Sequence, residues 1–270
     1  MDEDVKYHIG FGRGDLGENP PTIALLSGDP DRARRIAQES SMLTFEKKLS
    51  ENRGLNSYIA RLPGGRRLIS ATSGMGAPSL SIVVNELFDL GIRQIIRIGT
   101  SGSIQEDVKP GSVVITRAAL CRQGAANDIA PCEYPASANP FLTVALVNAA
   151  QKLAVDWHVG LTASVDTFFE GQERVDSSAN KHLLRSLREI THEYRHLNIL
   201  NYEMEAGTLF KMGNAYGFAA GCVCAIIASR TESENVHHEA KRHAEQNAIR
   251  VALQALEDLD REYLHPRYWR

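Results

Sequence analysis

Gln94-Ile95-Ile96-Arg97-Ile98-Gly99-Thr100-Ser101-Gly102 decides the fold of this chain. Its first half is short, apolar and β-branched, the pattern of a strand buried in a sheet. A glycine-bearing turn, Gly99 to Gly102, follows. Arg97 stands near the end of the apolar run. A guanidinium there is costly unless an anion meets it. Two anions fit. One is an acid of the chain itself, such as Asp29, in a structural salt bridge. The other is a phosphate, which arginine grips through its bidentate fork, with Thr100 and nearby backbone N–H groups as further donors.

Outward from this segment, apolar runs alternate with helical patterns. Thr22–Ser27 reads as a strand ending at Gly28, and Arg67–Thr72 as one ending in Ser73-Gly74-Met75-Gly76. Pro78 suits a first helical turn, and Leu80, Val83, Val84, Leu87 and Leu90 continue at helical spacing up to Gly91. Leu49–Leu62 has the look of a hairpin, with Gly64-Gly65 as the turn after it. Ser112–Thr116, His158–Ala163 and Phe218–Ala228 read as strands. Pro140–Leu153, Asn180–Tyr194, Glu203–Tyr216 (closed by Gly217) and Glu239–Tyr263 read as helices. The alternation predicts an α/β fold, a mixed or mostly parallel sheet with helices on both faces, in a single domain over residues 1–270. Ligands in such folds gather at the carboxyl ends of strands, where all three glycine-bearing loops fall.

Composition excludes several classes. The net charge of -3 argues against a nucleic-acid footprint, which needs a basic stripe. The first ten residues hold three acids and no apolar core, so no secretory signal is expected. Phe218–Ala228, the most apolar run, contains Gly221 and is too short to span a bilayer. Cys222 and Cys224 alternate on one face of that run and read as small buried hydrophobes; with Cys121 and Cys132 they point to a reducing, cytoplasmic compartment. No Gly-x-Gly-x-x-Gly, phosphate loop or Gly-x-Ser-x-Gly elbow occurs. His238-Glu239 followed by His243 misses the zinc-protease spacing by one residue, and a solvated helical cap is the plainer reading of His237, His238 and His243.

Two further segments can carry chemistry. In Phe168-Phe169-Glu170-Gly171-Gln172-Glu173-Arg174, the Gln172 amide can accept from the N3–H of a uracil ring and donate to O2, while the Arg174 guanidinium donates to O4. A cation placed there also stabilises the charge of a departing uracil anion. A polar surface turn explains the heptapeptide equally well. In Asn201-Tyr202-Glu203-Met204-Glu205-Ala206, a carboxylate can clamp a ribose diol and Met204 can cover the sugar face. Acids in a first helical turn also simply complement the helix dipole.

In the order Gly28-Asp29-Pro30-Asp31-Arg32, Ser73-Gly74-Met75-Gly76, Arg97-Ile98-Gly99-Thr100-Ser101-Gly102, Gln172-Glu173-Arg174 and Glu203-Met204-Glu205, the chain resembles the nucleoside phosphorylase-I family, and the Phe-x-x-Gly-Gln-Glu-Arg segment its pyrimidine branch. The resemblance implies a three-layer α/β/α fold around a distorted, barrel-like mixed sheet. It also implies the cleavage of uridine by phosphate to uracil and ribose 1-phosphate, with deoxyuridine or thymidine as further substrates. Phosphate is then a co-substrate, and neither cofactor nor metal is implied. Gly28, Arg32, Arg97 and Thr100 would hold phosphate, joined by Arg53 from a neighbouring subunit. Glu203, Met204 and Glu205 would hold ribose, and His8 would reach the 5′-hydroxyl of the neighbour's ligand. Phe168 would stack on the base, Gln172 and Arg174 would read its edge, Ile227 would line the pocket and Arg230 would support it. Arg174, Gln172 and Arg97 would carry catalysis. The partners implied are these small molecules and further copies of the chain, in a dimer or a hexamer of three dimers, with no nucleic acid and no membrane.

Three positions depart from family patterns. Purine-specific members carry an Asp after the last core strand, where this chain has Ala228-Ser229-Arg230-Thr231. Gly54 replaces a Glu that helps some bacterial relatives bind a monovalent cation, so no such ion is expected. Glu170 stands where relatives often carry Pro. Two other functions remain open on sequence: a hydrolytic nucleosidase of the same fold, and a silent nucleoside-binding protein.

Overall fold

A computed structural model describes residues 4–230 and 238–259. In chain order its elements are β1 (Ile23–Ser27), α1 (Pro30–Glu39), β2 (Thr44–Ser50), β3 (Ser57–Arg61), β4 (Arg67–Thr72), α2 (Ala77–Asp89), β5 (Gln94–Ser103), β6 (Val113–Arg122), α3 (Gly124–Ile129), α4 (Pro140–Lys152), β7 (Trp157–Val165), α5 (Ile190–His196), β8 (Ile199–Glu203), α6 (Ala206–Tyr216), β9 (Ala219–Ser229) and α7 (His238–Asp258).

The strands form one mixed sheet in the order β2-β3-β4-β1-β5-β8-β7-β6-β9, and β9 pairs back onto β5. That last pairing closes β5, β8, β7, β6 and β9 into a barrel-like ring, from which β1, β4, β3 and β2 extend as an open wing. β1 runs parallel to β4 and β5, and β5 parallel to β9, whereas β5–β8 and β6–β9 are antiparallel.

Side chains of β1 alternate between two cores. Ile23 and Leu25 join Ile36 of α1, Leu142 and Leu146 of α4, and Leu253 and Leu256 of α7. Ala24 and Leu26 join Leu80, Val83 and Leu87 of α2 and Leu209 and Phe210 of α6. Helices therefore cover both faces, and three layers follow from the period of two along a strand. Each fully buried Leu, Ile, Val or Phe among these contributes about 1.5–3 kcal/mol relative to exposure. Cys222 and Cys224 lie on one face of β9 with sulfurs 3.7 Å apart, and all four cysteines are free thiols. Among the described residues, no helix is long and apolar enough to cross a membrane.

Several elements differ from the sequence reading for identifiable reasons. The strand through Arg97 does not end at Ile98; it continues to Ser103, because β9 pairs with it along its whole length and β8 adds Gly102–Tyr202 and Ser103–Asn201. β8 was not expected, since Asn201 and Tyr202 interrupt its apolar pattern. Its polar groups are matched across the barrel: Asn201 Nδ2 donates to Ser101 Oγ at 2.6 Å and Oδ1 accepts from Thr162 Oγ1 at 2.8 Å. Glu203 consequently ends a strand rather than starting a helix, and α6 begins at Ala206. Asn180–Tyr194 is not one helix; it holds a 3-10 turn at Arg185–Leu187 and then α5. The expected end of the last helix, Tyr263, lies outside the described residues, as do Thr231 and His237.

Candidate active site

Arg97 projects from β5 and is 5% exposed. Its anion is not Asp29, whose carboxylate instead caps α1 by accepting from the Asp31 N–H at 2.9 Å. Arg97 Nε donates to Glu203 Oε2 at 3.2 Å, and Nη2 pairs with Glu205 Oε2. A Cβ on Gly99 would lie 3.1 Å from Arg97 Nη2 and 3.0 Å from Cys224 Sγ, so a larger residue there would push on the guanidinium that folds back along its own strand. Burial works against the Arg97 charge, but the carboxylates of Glu205 and Glu203 outweigh it and raise its pKa further. Arg97 Nη1 has no hydrogen-bond partner among the described residues.

The two acids are held differently. Glu203 also accepts from Ser164 Oγ and from the N–H groups of Glu205 and Ala206, both at 2.8 Å. It thus caps α6 and ties β7 to β8. Glu205 accepts from the Gly76 N–H at 2.7 Å, so it joins the α6 start to the Ser73–Gly76 loop. Burial pushes the Glu205 carboxyl up in pKa, against the pull of Arg97. Met204 lies between them, partly buried, its carbonyl accepting from Gln123 Nε2 at 2.6 Å. Gln123 Oε1 accepts from Thr208 N–H at 2.8 Å and from Thr208 Oγ1 at 2.9 Å. Gln123 is a residue the sequence reading missed; a lone Gln after a strand gives no local signal.

On α1, the buried Arg32 Nη2 donates to Glu245 Oε1 of α7 at 2.8 Å, and Nη1 makes a long 3.4 Å bond to the Ile98 carbonyl. Gly28 lies in the β1–α1 connection and Thr100 is partly exposed near the end of β5.

At the other end of the site, the Phe168–Arg174 segment is more than a surface turn. Gln172 is 3% exposed and its Oε1 accepts from Arg174 Nε at 3.2 Å. The Arg174 guanidinium stacks on the Phe168 ring, 4.3 Å from its centroid, and Phe168 remains 46% exposed. A Cβ on Gly102 would come within 3.3 Å of Arg230 Cγ, a tight approach, and 3.6 Å of Arg174 Nη2, an ordinary contact, so both arginines lie against this glycine. The Arg230 guanidinium covers the Tyr202 ring at 5.2 Å. Burial pushes the Tyr202 phenol up to about 12, so it stays protonated and can donate. Ile227 sits where β9 slips register against Ser101 and Gly102, partly buried against the α1–α4–α7 core. Arg97 therefore lies against Gly99 and Arg174 against Gly102, three residues further along β5. Glu173 also has a role that the sequence did not suggest. Its backbone is left-handed (φ 55) and its Oε2 accepts from the Thr191 N–H at 3.0 Å, which ties the loop to the start of α5.

His8 and Arg53 form a separate group. His8 Nδ1 bonds Glu86 Oε1 at 2.6 Å, and Asn52 Nδ2 holds the Tyr7 and His8 carbonyls at 3.0 and 2.8 Å. Arg53 Nη2 donates to the Tyr7 hydroxyl at 2.8 Å and is exposed. The structure gathers these two with each other, and shows no bond from either to Arg97 or Arg174 among the described residues.

A barrel-closed α/β sheet with an arginine–diacid cluster at its rim defines a class. The family model described as Phosphorylase superfamily matches residues 22–258, and the chain belongs to that superfamily. Over 255 residues it is 37% identical to the uridine phosphorylase of Escherichia coli strain K12, covering 94% of this chain and 98% of that protein. It is 38% identical over 253 residues to the uridine phosphorylase of Haemophilus influenzae, with 94% and 98% covered. It is 33% identical over 273 residues to the uridine phosphorylase of Thermococcus kodakarensis, with 99% and 93% covered.

Proposed function

We propose that the chain cleaves uridine with inorganic phosphate, giving uracil and ribose 1-phosphate. The observation that carries this reading is the Gln172–Arg174 couple, buried on its amide side and stacked on a half-open Phe168, against Gly102 of the same strand, β5, that carries the Arg97–Glu205 pair. The relatives named above, similar over nearly their whole length, support the same substrate.

A phosphate oxygen attacks C1′ of the ribose as the C1′–N1 bond breaks, and the bonding pair leaves on the base. The sugar passes through an oxocarbenium-like state. Glu205 and Glu203 hold the ribose hydroxyls, with Met204 against the sugar. Phosphate is already an anionic nucleophile, so the protein positions it, with Arg97, Arg32, Thr100 and the Gly28 backbone as donors. Arg174 and Gln172 stabilise the charge that develops on the uracil oxygens, Ile227 lines the base pocket, and Arg230 supports it. The departing anion takes its proton from water. No cofactor or metal enters these steps.

His8 and Arg53 serve the site of a neighbouring copy, so the working unit is a dimer or an assembly of dimers. Free thiols at all four cysteines support work in the cytoplasm. The test follows uracil release from uridine with and without phosphate, beside thymidine and inosine. Phosphate-dependent release from uridine is expected. Release without phosphate would make the chain a nucleosidase, and no release would make it a binder.

A further inference from the structure

Glu245 lies on α7, is not itself among the residues expected to touch substrate, and is 4% exposed while it carries two arginines. Arg32 Nη2 donates to its Oε1 at 2.8 Å, and Arg35 Nη2 donates to its Oε2 at 3.0 Å. Arg35 is held in turn by Asp31, its Nε 3.2 Å from Oδ2. Burial acts to raise the Glu245 pKa, but the charge of Arg32 and the bond from Arg35 outweigh it and lower it. The carboxylate is therefore ionised at neutral pH.

The two arginines divide the oxygens of the Glu245 carboxylate, and Asp31 balances Arg35. Arg35 occupies one oxygen and fixes the carboxylate, while the other fixes the Arg32 head group. Arg32 keeps donors for a further anion: Nε has no partner among the described residues, and the Nη1 bond to Ile98 is long at 3.4 Å. Ile98 is one residue from Arg97 along β5. Glu245 thus presses the Arg32 guanidinium against the backbone of the strand that carries Arg97.

We propose that Glu245 is a positioning residue for the phosphate co-substrate, acting through Arg32. This rests on the phosphorolytic reading above. An arginine held by one edge loses little freedom when it binds an anion with the rest of its fork, whereas an untethered one must first be ordered. α7 thereby becomes part of the phosphate machinery, although none of its side chains is expected to touch the anion.

The experiment compares the unmodified chain with Glu245→Gln and Glu245→Asp. It uses calorimetric titration with inorganic phosphate and steady-state kinetics in both substrates. Glu245→Gln removes the charge and turns one of the two oxygens, each of which serves one arginine, into an NH2 group that cannot accept. Loss of a charge-assisted bond predicts phosphate Kd and KM raised roughly 10-fold, with uridine KM and kcat within about twofold. Glu245→Asp keeps the charge but withdraws it by one methylene, and an intermediate rise is expected; it also serves if the Gln variant does not fold. Unchanged phosphate Kd in a folded variant overturns the proposal, as does an equal loss in both substrates. If the unmodified chain itself binds no phosphate, the phosphorolytic reading falls and this inference with it; if it binds phosphate and the variants bind it equally well, only this inference falls.

Discussion

Replacing Arg97 by Met removes the charge while keeping most of the buried volume. Glu203 would lose the Arg97 bond but still accept from Ser164 and from the backbone N–H groups of Glu205 and Ala206, so its oxygens keep donors. Glu205 would keep the Gly76 N–H and lose its cation. Removing one partner of a buried pair costs about 3–5 kcal/mol. Part of that cost is relieved if Glu205 takes up a proton. Burial already raises its folded pKa above the unfolded value, and loss of Arg97 raises it further. A group with a raised folded pKa contributes stability below its unfolded pKa, about 4.3, and loses it as pH climbs through the folded one. The deficit of Arg97→Met against the parent should therefore be smallest near pH 5 and grow toward pH 8, by up to about 1.4 kcal/mol for each pH unit between the parent's folded pKa and the variant's. Urea denaturation at fixed protein concentration, run from pH 5 to 8 on both chains, reads this directly. A deficit under about 1 kcal/mol, or one flat across pH, would refute the assignment of Arg97 as counter-ion to Glu205.

Other substitutions separate the two ends of the site. Arg174→Lys keeps the charge and loses the fork on Phe168, so turnover of uridine should fall roughly 10²-fold while phosphate KM stays near the parent value; steady-state kinetics in each substrate decides it. Gln123→Ala strips the Met204 carbonyl and the Thr208 N–H of a buried partner, and should cost about 1–3 kcal/mol with a raised uridine KM; thermal melts beside kinetics would show otherwise if neither moves. Arg53→Ala touches an exposed side chain, so melting should not shift although phosphate use declines. Random mixing of Arg53→Ala with Arg174→Ala dimers should restore roughly a quarter of parental activity, since half the pairs are mixed and each holds one intact site. Mixtures no more active than either variant alone would place Arg53 outside a shared site.

Much of the fold was legible because local rules govern it. Arg67–Thr72 is β4 end for end, and Pro140 and Pro78 fall in the first turns of α4 and α2 as proline geometry requires. Readings failed where distant pairing overrode local pattern. Gly99 to Gly102 read as a turn because glycine commonly ends strands; β8 and β9 flanking that stretch keep it extended. Ile199–Glu203 escaped notice because its polar residues find partners far away in the chain, Asn201 at Ser101 and Thr162 and Glu203 at Arg97 and Ser164. In the candidate site, residue types were legible and their partners were not. Gln172 and Arg174 stood out by chemistry, whereas Gln123 and Glu245 carry no local mark.

The amino-acid order alone determined the layered α/β class, the strand ends before Gly28 and before Ser73–Gly76, and the presence of a buried arginine in need of an anion. Periodicity, glycine and the cost of burying charge act over a few residues, so they can be read without a structure. Tertiary structure decided which anions answer Arg97, and that the barrel closes through β9 onto β5. Glu203 is 106 positions from Arg97, and Glu245 is 213 from Arg32. Electrostatic pairing depends on distance in space, and only the folded chain sets that distance.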